Sequence, residues 1–132
     1  MAAGDGIMEV QPAALRVLVV EDEIMIRMLL EDMLGELGYT ITAAAGRIDE
    51  ALSFAREADF DFAILDINLN GETVYPVADA LAARGLPFVF STGYGERGLA
   101  DGYRGHLTLQ KPFQLDGLQK TLSALVARMP PR

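Results

Sequence analysis

Phe62-Ala63-Ile64-Leu65-Asp66-Ile67-Asn68-Leu69-Asn70-Gly71 begins as an unbroken apolar run, stops at a carboxylate and enters a turn. Apolar residues in succession, without polar alternation, mark a strand covered on both faces, as in the middle of a parallel sheet. Outward from this run, the same pattern recurs at Leu15–Val20 (LRVLVV) and at Phe88–Phe90 (FVF). Tyr39–Ala43 (YTITA) and His106–Leu109 (HLTL) alternate instead, as strands with one less covered face do.

Between these strands the apolar residues fall at helical spacing. Ile26, Leu29, Leu30, Met33, Leu34 and Leu37 form one face, closed by Gly38, and Ile48, Ala51, Leu52 and Ala55 form a second. Val74, Val77, Ala78 and Leu81 form a third, ended by Arg84-Gly85. Leu115, Leu118, Leu122, Leu125, Val126 and Met129 make the last stripe. The segment 93–105 holds five glycines and room for one short helix. Strand and helix thus alternate five times, which predicts a parallel sheet with right-handed crossovers. With the continuous runs central and the alternating ones at the edges, the strand order is 2-1-3-4-5. That is the flavodoxin-like, doubly wound (βα)5 form of the α/β class, whose ligand crevice lies beyond the carboxyl ends of strands one and three. Residues 15–129 form one domain in this reading, and 1–14 a flexible N-terminal tail.

Composition narrows the function. The chain has 132 residues and a net charge of -8, which disfavours nucleic acid or an anionic membrane surface as partner. It has no cysteine, so disulfides and thiolate metal sites are excluded, in keeping with a reducing cytoplasm. No apolar run reaches the roughly 18–20 residues of a membrane span, and the first residues lack the charged and apolar regions of a signal peptide.

The predicted topology gathers four strand ends on one rim: Glu21-Asp22-Glu23, Asp66, Ser91-Thr92-Gly93 and Gln110-Lys111-Pro112. Carboxylates so close repel one another, and a divalent cation relieves the conflict. Hard oxygen donors without a His or Cys pair favour Mg²⁺, with Mn²⁺ as the alternative. Metal, ammonium and hydroxyl together suit a transferring phosphoryl group, and Asp66 is the candidate nucleophile, giving an aspartyl phosphate.

The motifs Val19-Val20-Glu21-Asp22-Glu23, Ile64-Leu65-Asp66-Ile67-Asn68, Phe90-Ser91-Thr92-Gly93-Tyr94-Gly95 and Gln110-Lys111-Pro112-Phe113, in this order, closely resemble the receiver domain of two-component response regulators. The resemblance spans about Leu15 to Ala127. It implies a bacterial phosphoprotein that accepts a phosphoryl group on Asp66 from a sensor histidine kinase or a histidine phosphotransfer protein. Asp22 then matches the direct metal ligand, Glu21 the acid acting through water, and Asn68 the residue whose backbone carbonyl meets the metal. Thr92 matches the switch hydroxyl and Lys111 the phosphate-binding lysine, at a cis bond to Pro112. Such a receiver catalyses its own phosphorylation and dephosphorylation but is not a turnover enzyme.

Two departures from the family pattern stand out. Thr108 occupies the place of the usual switch aromatic, and Asn70 the place of a proline four residues after the acceptor. Together with Phe90-Ser91-Thr92-Gly93-Tyr94, they resemble the branch with a Phe-Ala-Thr-Gly-hydrophobic-Tyr signature. That branch is typical of alphaproteobacteria and often works with histidine kinases of the HWE or related type. Here Ser91 replaces the alanine and Tyr94 directly follows Gly93. The expectation is a stand-alone receiver that signals by protein contact or serves as a phosphate sink, with a weak homodimer left open. Segment 93–105 is expected to rearrange when Thr92 is drawn to the phosphoryl group, with Tyr94 entering the space left by the missing ring.

Plainer readings compete at each position. Glu21-Asp22-Glu23 suit the first turn of a helix. Asn68, Asn70 and Gly71 are ordinary turn residues. His106 reads as a strand-start residue, and Tyr94 and Tyr103 as packing residues or switches. A Mg²⁺-dependent phosphatase with an aspartyl-phosphate intermediate is the alternative function, although its second acid would stand at Asn68. A phosphorylation-independent binding module is a third reading.

Overall fold

The computed structural model describes residues 14–93 and 99–129. Its elements in chain order are β1 (Arg16–Val20), α1 (Ile24–Glu36), β2 (Thr40–Ala45), α2 (Ile48–Glu57) and β3 (Phe62–Asp66). A hairpin of β4 (Asn68–Leu69) and β5 (Glu72–Thr73) follows, then α3 (Tyr75–Ala83) and β6 (Phe88–Thr92). A 3-10 turn at Asp101–Tyr103, β7 (Thr108–Gln110) and α4 (Leu115–Ala127) complete the described chain. The parallel sheet runs β2-β1-β3-β6-β7, so the expected order holds, with the two hairpin strands set apart in a ladder of their own.

The strands alternate between two cores. Val17, Val19, Phe62, Ile64 and Val89 pack with Leu30 and Leu34 of α1 and Leu118, Leu122 and Leu125 of α4. Leu18, Val20, Ala63, Leu65, Phe88 and Phe90 face the opposite way, against Ala51 and Ala55 of α2 and Val77, Ala78 and Leu81 of α3. β1 from Val17 on, β3 and β6 read as continuous apolar runs because their apolar side chains, in either direction, meet a helix. Edge strand β2 has only one fully buried residue, Ala45.

Two helices end alike. Gly38 (φ 92°) and Gly85 (φ 70°) adopt the left-handed conformation, and the next amides reach back, Tyr39 N–H to Leu34 O and Leu86 N–H to Leu81 O. Both ends are Schellman motifs, which satisfy carbonyls the helix leaves open.

The crossover between β6 and β7, which had room for one short helix, holds the 3-10 turn Asp101–Tyr103 among its described residues; residues 94–98 lie outside the described residues. Two details differ from the sequence expectation. Leu29, expected on the buried face of α1, is 45% exposed, because the helix docks through Leu30 and Leu34 and turns its neighbour outward. Leu115, at the start of the α4 stripe, is likewise exposed. The tail expected over 1–14 lies outside the described residues except for Ala14, which is exposed. No helix among the described residues is long and apolar enough to cross a membrane.

Candidate functional site

The sheet ladder continues past the strands and positions the site. Glu21 N–H donates to Ala45 O at 2.9 Å, fixing the residue after β1 against the end of β2. Lys111 N–H donates to Thr92 O at 3.0 Å, fixing the residue after β7 against the end of β6. Asp66 closes β3 in register with Ser91 of β6. Glu21, Asp66, Ser91 and Thr92 are the buried polar or charged residues of the described chain, and all four stand at this rim.

The Lys111 ammonium lies between two carboxylates, 2.9 Å from Glu21 Oε1 and 3.3 Å from Asp66 Oδ2. The Lys111–Pro112 peptide is cis, as the resemblance implied. Glu21 Oε2 accepts the Glu23 N–H at 3.1 Å, whereas Oε1 has the ion pair with Lys111 but no well-angled hydrogen bond. Asp66 Oδ1 receives a long contact, 3.5 Å, from the Asn68 amide. Glu23 stands at the N-cap of α1 without a side-chain cap bond. The acidic run is therefore spent mainly on the site, with the plainer first-turn role left unfilled by Glu23.

Burial dominates the electrostatics. It pushes the Glu21 carboxyl up to about 7, helped by the Asp66 charge and opposed by Lys111 and the Glu23 amide. Burial also raises Asp66, against the pull of Lys111 and the Asn68 amide. For Lys111, burial works against the charge, but Glu21 and Asp66 more than offset it and the ammonium is held above its ordinary value.

Glu21, Asp22 and Asp66 each present an oxygen, all within 4.8 Å of one another. Three carboxylates against one ammonium leave an excess of negative charge on hard oxygens. A buried Glu21 oxygen also lacks a full set of hydrogen bonds. The residues therefore fit a hard divalent cation such as Mg²⁺.

The structure thus brings together Glu21, Asp22, Asp66 and Lys111, with Thr92 at the end of the adjacent strand. The Asn68 side-chain oxygen accepts the Gly71 amide at 3.0 Å, so this side chain serves the turn. Tyr94 lies outside the described residues, as do residues 94–98 of the expected mobile segment 93–105. The sequence reads Asn70 as an ordinary turn residue and does not show its part in the site. Its amide donates to Asp22 Oδ2 at 3.0 Å and its side-chain nitrogen to Gly46 O at 3.3 Å, so it orients a prospective ligand. The available signal was the pair Asn70-Gly71, a strong marker of a two-residue hairpin. Both residues have the positive φ such a turn needs, 52° and 87°.

A five-stranded parallel sheet with an acid cluster and a lysine at its carboxyl end defines the class of protein. The chain belongs to the response regulator receiver domain family, whose model matches residues 17–123. It is 34% identical over 117 residues to the transcriptional regulatory protein PdtaR of Mycobacterium tuberculosis, covering 86% of this chain and 57% of PdtaR. It therefore spans little more than half the length of that curated relative. The solution structure of SdrG from Sphingomonas melonis Fr1 is similar at 44% identity and a TM-score of 0.78, over 88% of this chain and 99% of SdrG. The receiver domain of the sensor histidine kinase PA1611 from Pseudomonas aeruginosa, solved with a magnesium ion in its active site cleft, is similar at 26% identity and a TM-score of 0.74. That match covers 87% of this chain and 99% of the PA1611 domain. Receiver domains take phosphoryl groups from histidine kinases.

Proposed function

We propose that this chain is a phospho-accepting receiver with Asp66 as the acceptor. The observation that carries this is the Lys111 ammonium shared between Glu21 and Asp66 at 2.9 and 3.3 Å, inside a cluster of three carboxylates. An Asp66 oxygen attacks the phosphorus of a donor phosphohistidine. The P–N bond breaks, the imidazole leaves with its electron pair and takes up a proton, and an acyl phosphate remains on Asp66. Lys111 then exchanges part of its Asp66 contact for a phosphoryl oxygen, and the Thr92 hydroxyl donates to another. Asp22 and Asp66, with the Asn68 carbonyl and with Glu21 through water, would hold Mg²⁺, which supplies positive charge at the phosphoryl oxygens. Mn²⁺ suits the same donors.

The partner in this reading is a sensor histidine kinase or a histidine phosphotransfer protein, and the protein switches state without turning over a substrate. Drawing Thr92 inward biases the crossover that follows it. Moving such an equilibrium from 1:99 to 99:1 takes about 5.5 kcal/mol of differential stabilisation. The Ser91-Thr92-Gly93 segment supports a place in the branch with the Phe-Ala-Thr-Gly signature.

The test is intact mass after incubation with Mg²⁺ and acetyl phosphate. One metal-dependent phosphoryl adduct, labile to hydroxylamine and absent in Asp66→Asn, is expected. An adduct of equal yield in Asp66→Asn overturns the assignment. Sustained turnover of a phosphomonoester in the same buffer would indicate the phosphatase instead.

A further inference from the structure

The crossover from β6 to β7 is tied to α3 by contacts that the acidic site does not use. Tyr75, at the start of α3, and Tyr103, in the 3-10 turn, stack with centroids 5.5 Å apart and planes 11° apart. Phe90 sets its ring edgewise against both, at 5.8 and 5.2 Å. Each phenol also has a hydrogen bond across the same junction. The Ala100 amide donates to the Tyr75 hydroxyl at 2.8 Å, and the Tyr103 hydroxyl donates to the Asp79 carboxylate of α3. Burial and the bond to Asp79 push the Tyr103 phenol up to about 12. Position 108, at the start of β7, is a threonine, and the rings packed on Phe90 come instead from α3 (Tyr75) and from the crossover (Tyr103 and His106).

The location matters because Phe90 lies two residues before Thr92 on the same strand. The aromatic stack therefore bears on the strand whose end carries the candidate switch hydroxyl. Thr92 and the stack thus meet the same short strand, two residues apart.

We propose that Tyr75, Asp79 and Tyr103 form a latch that holds residues 99–106 of the crossover on α3 in the unphosphorylated protein, and that phosphoryl binding at Asp66 shifts the population toward the open latch. The switching role rests on the receiver function proposed above; the latch itself rests only on the contacts. Tyr75 and Tyr103 are positioning residues here, since neither belongs to the acid cluster. A ligand at Asp66 shifts the latch only to the extent that it prefers the open state.

The experiment is amide NMR on the whole chain, free and with Mg²⁺ plus beryllofluoride as a phosphoryl mimic, for wild type, Tyr75→Phe and Tyr103→Phe. Both variants keep their rings and lose one hydroxyl each. In Tyr75→Phe the Ala100 amide is expected to exchange about fivefold to tenfold faster, the scale of one net hydrogen bond. In Tyr103→Phe the free-state resonances of residues 99–106 are expected to lie displaced along the line from free to beryllofluoride-bound wild type. Ala100 exchange unchanged in Tyr75→Phe overturns the latch. Tyr103→Phe resonances that stay at the wild-type free positions, or move off that line, overturn its role in switching. If wild type shows no beryllofluoride response at Glu21, Asp22 and Asp66, the receiver function and the switching role both fail, while Ala100 exchange still reports on the latch.

Discussion

At Glu21 a carboxylate that is 1% exposed shares one ammonium with Asp66, and its pKa rises from 4.5 to about 7. A raised folded value means that the folded state holds this proton more tightly than the unfolded state does. Stability then falls with rising pH wherever the folded state carries the extra proton, here between about 4.5 and 7. One group contributes at most about 1.4 kcal/mol per pH unit. Asp49 and Asp59, held low by Arg47 and Arg16, act in the opposite direction, but below 3.8 and so outside this window. Metal-free protein is therefore expected to lose stability from pH 4.5 to 7, and Glu21→Gln to flatten that loss, as read from urea unfolding across the pH series. An identical slope in the variant would show that Glu21 is not the source. Asp66, also raised by burial, accounts for slope that remains. The identity of these acids was legible because strand patterns placed Glu21 and Asp66 at adjacent strand ends. The division of labour between them was not, since it depends on which oxygen meets Lys111.

Two elements flank the site and carry separate predictions. The β4–β5 hairpin orients Asp22 through the Asn70 amide, and its turn depends on Gly71 at φ 87°. A left-handed conformation costs a residue with a Cβ about 1–2 kcal/mol. Gly71→Ala is expected to lose about that much stability and to weaken Mg²⁺ binding, measured by denaturation and metal titration. Unchanged metal affinity would separate the hairpin from the site. On the other flank, α1 leaves Ile24, Met25, Met28 and Leu29 exposed, between 45% and 82%, starting two residues after Asp22. An apolar patch beside the proposed acceptor suits the body of a phosphodonor protein. Met25→Glu with Met28→Glu is expected to slow transfer from a kinase at least tenfold while leaving acetyl phosphate labelling unchanged. Equal losses with both donors would point to damage at the site itself. Helical periodicity marked α1 but placed Leu29 inside, since spacing does not say which edge of an apolar arc faces the sheet. The glycine-rich crossover was less legible still. Among the described residues its hold on α3 includes Tyr75, Asp79 and Tyr103, which no local pattern connects.

Across the whole molecule the site and the cores share the same strands. Coverage on both faces was written into the continuous runs of β1, β3 and β6, which is why the topology could be read before any contact was known. In β3, Phe62 and Ile64 face the α1–α4 core, Ala63 and Leu65 face the α2–α3 core, and Asp66 ends the strand at the acid cluster. Metal binding and core packing should therefore both appear in global stability, yet as separate contributions. Phe62 and Asp66 are four positions apart on an extended strand, roughly 13 Å, beyond the range at which substitutions usually couple. Phe62→Ala removes a fully buried ring and is expected to lose about 3–5 kcal/mol. Mg²⁺ at 100 times its dissociation constant should add about 2.7 kcal/mol to any form whose folded state binds it. That increment is expected to be the same in wild type and in Phe62→Ala, and to vanish in Asp22→Asn in either background. Urea unfolding of the four forms, with and without Mg²⁺, measures it. An increment that shrinks in Phe62→Ala would mean that the ring at the far end of β3 helps to shape the acid cluster, and that core and site are a single cooperative arrangement.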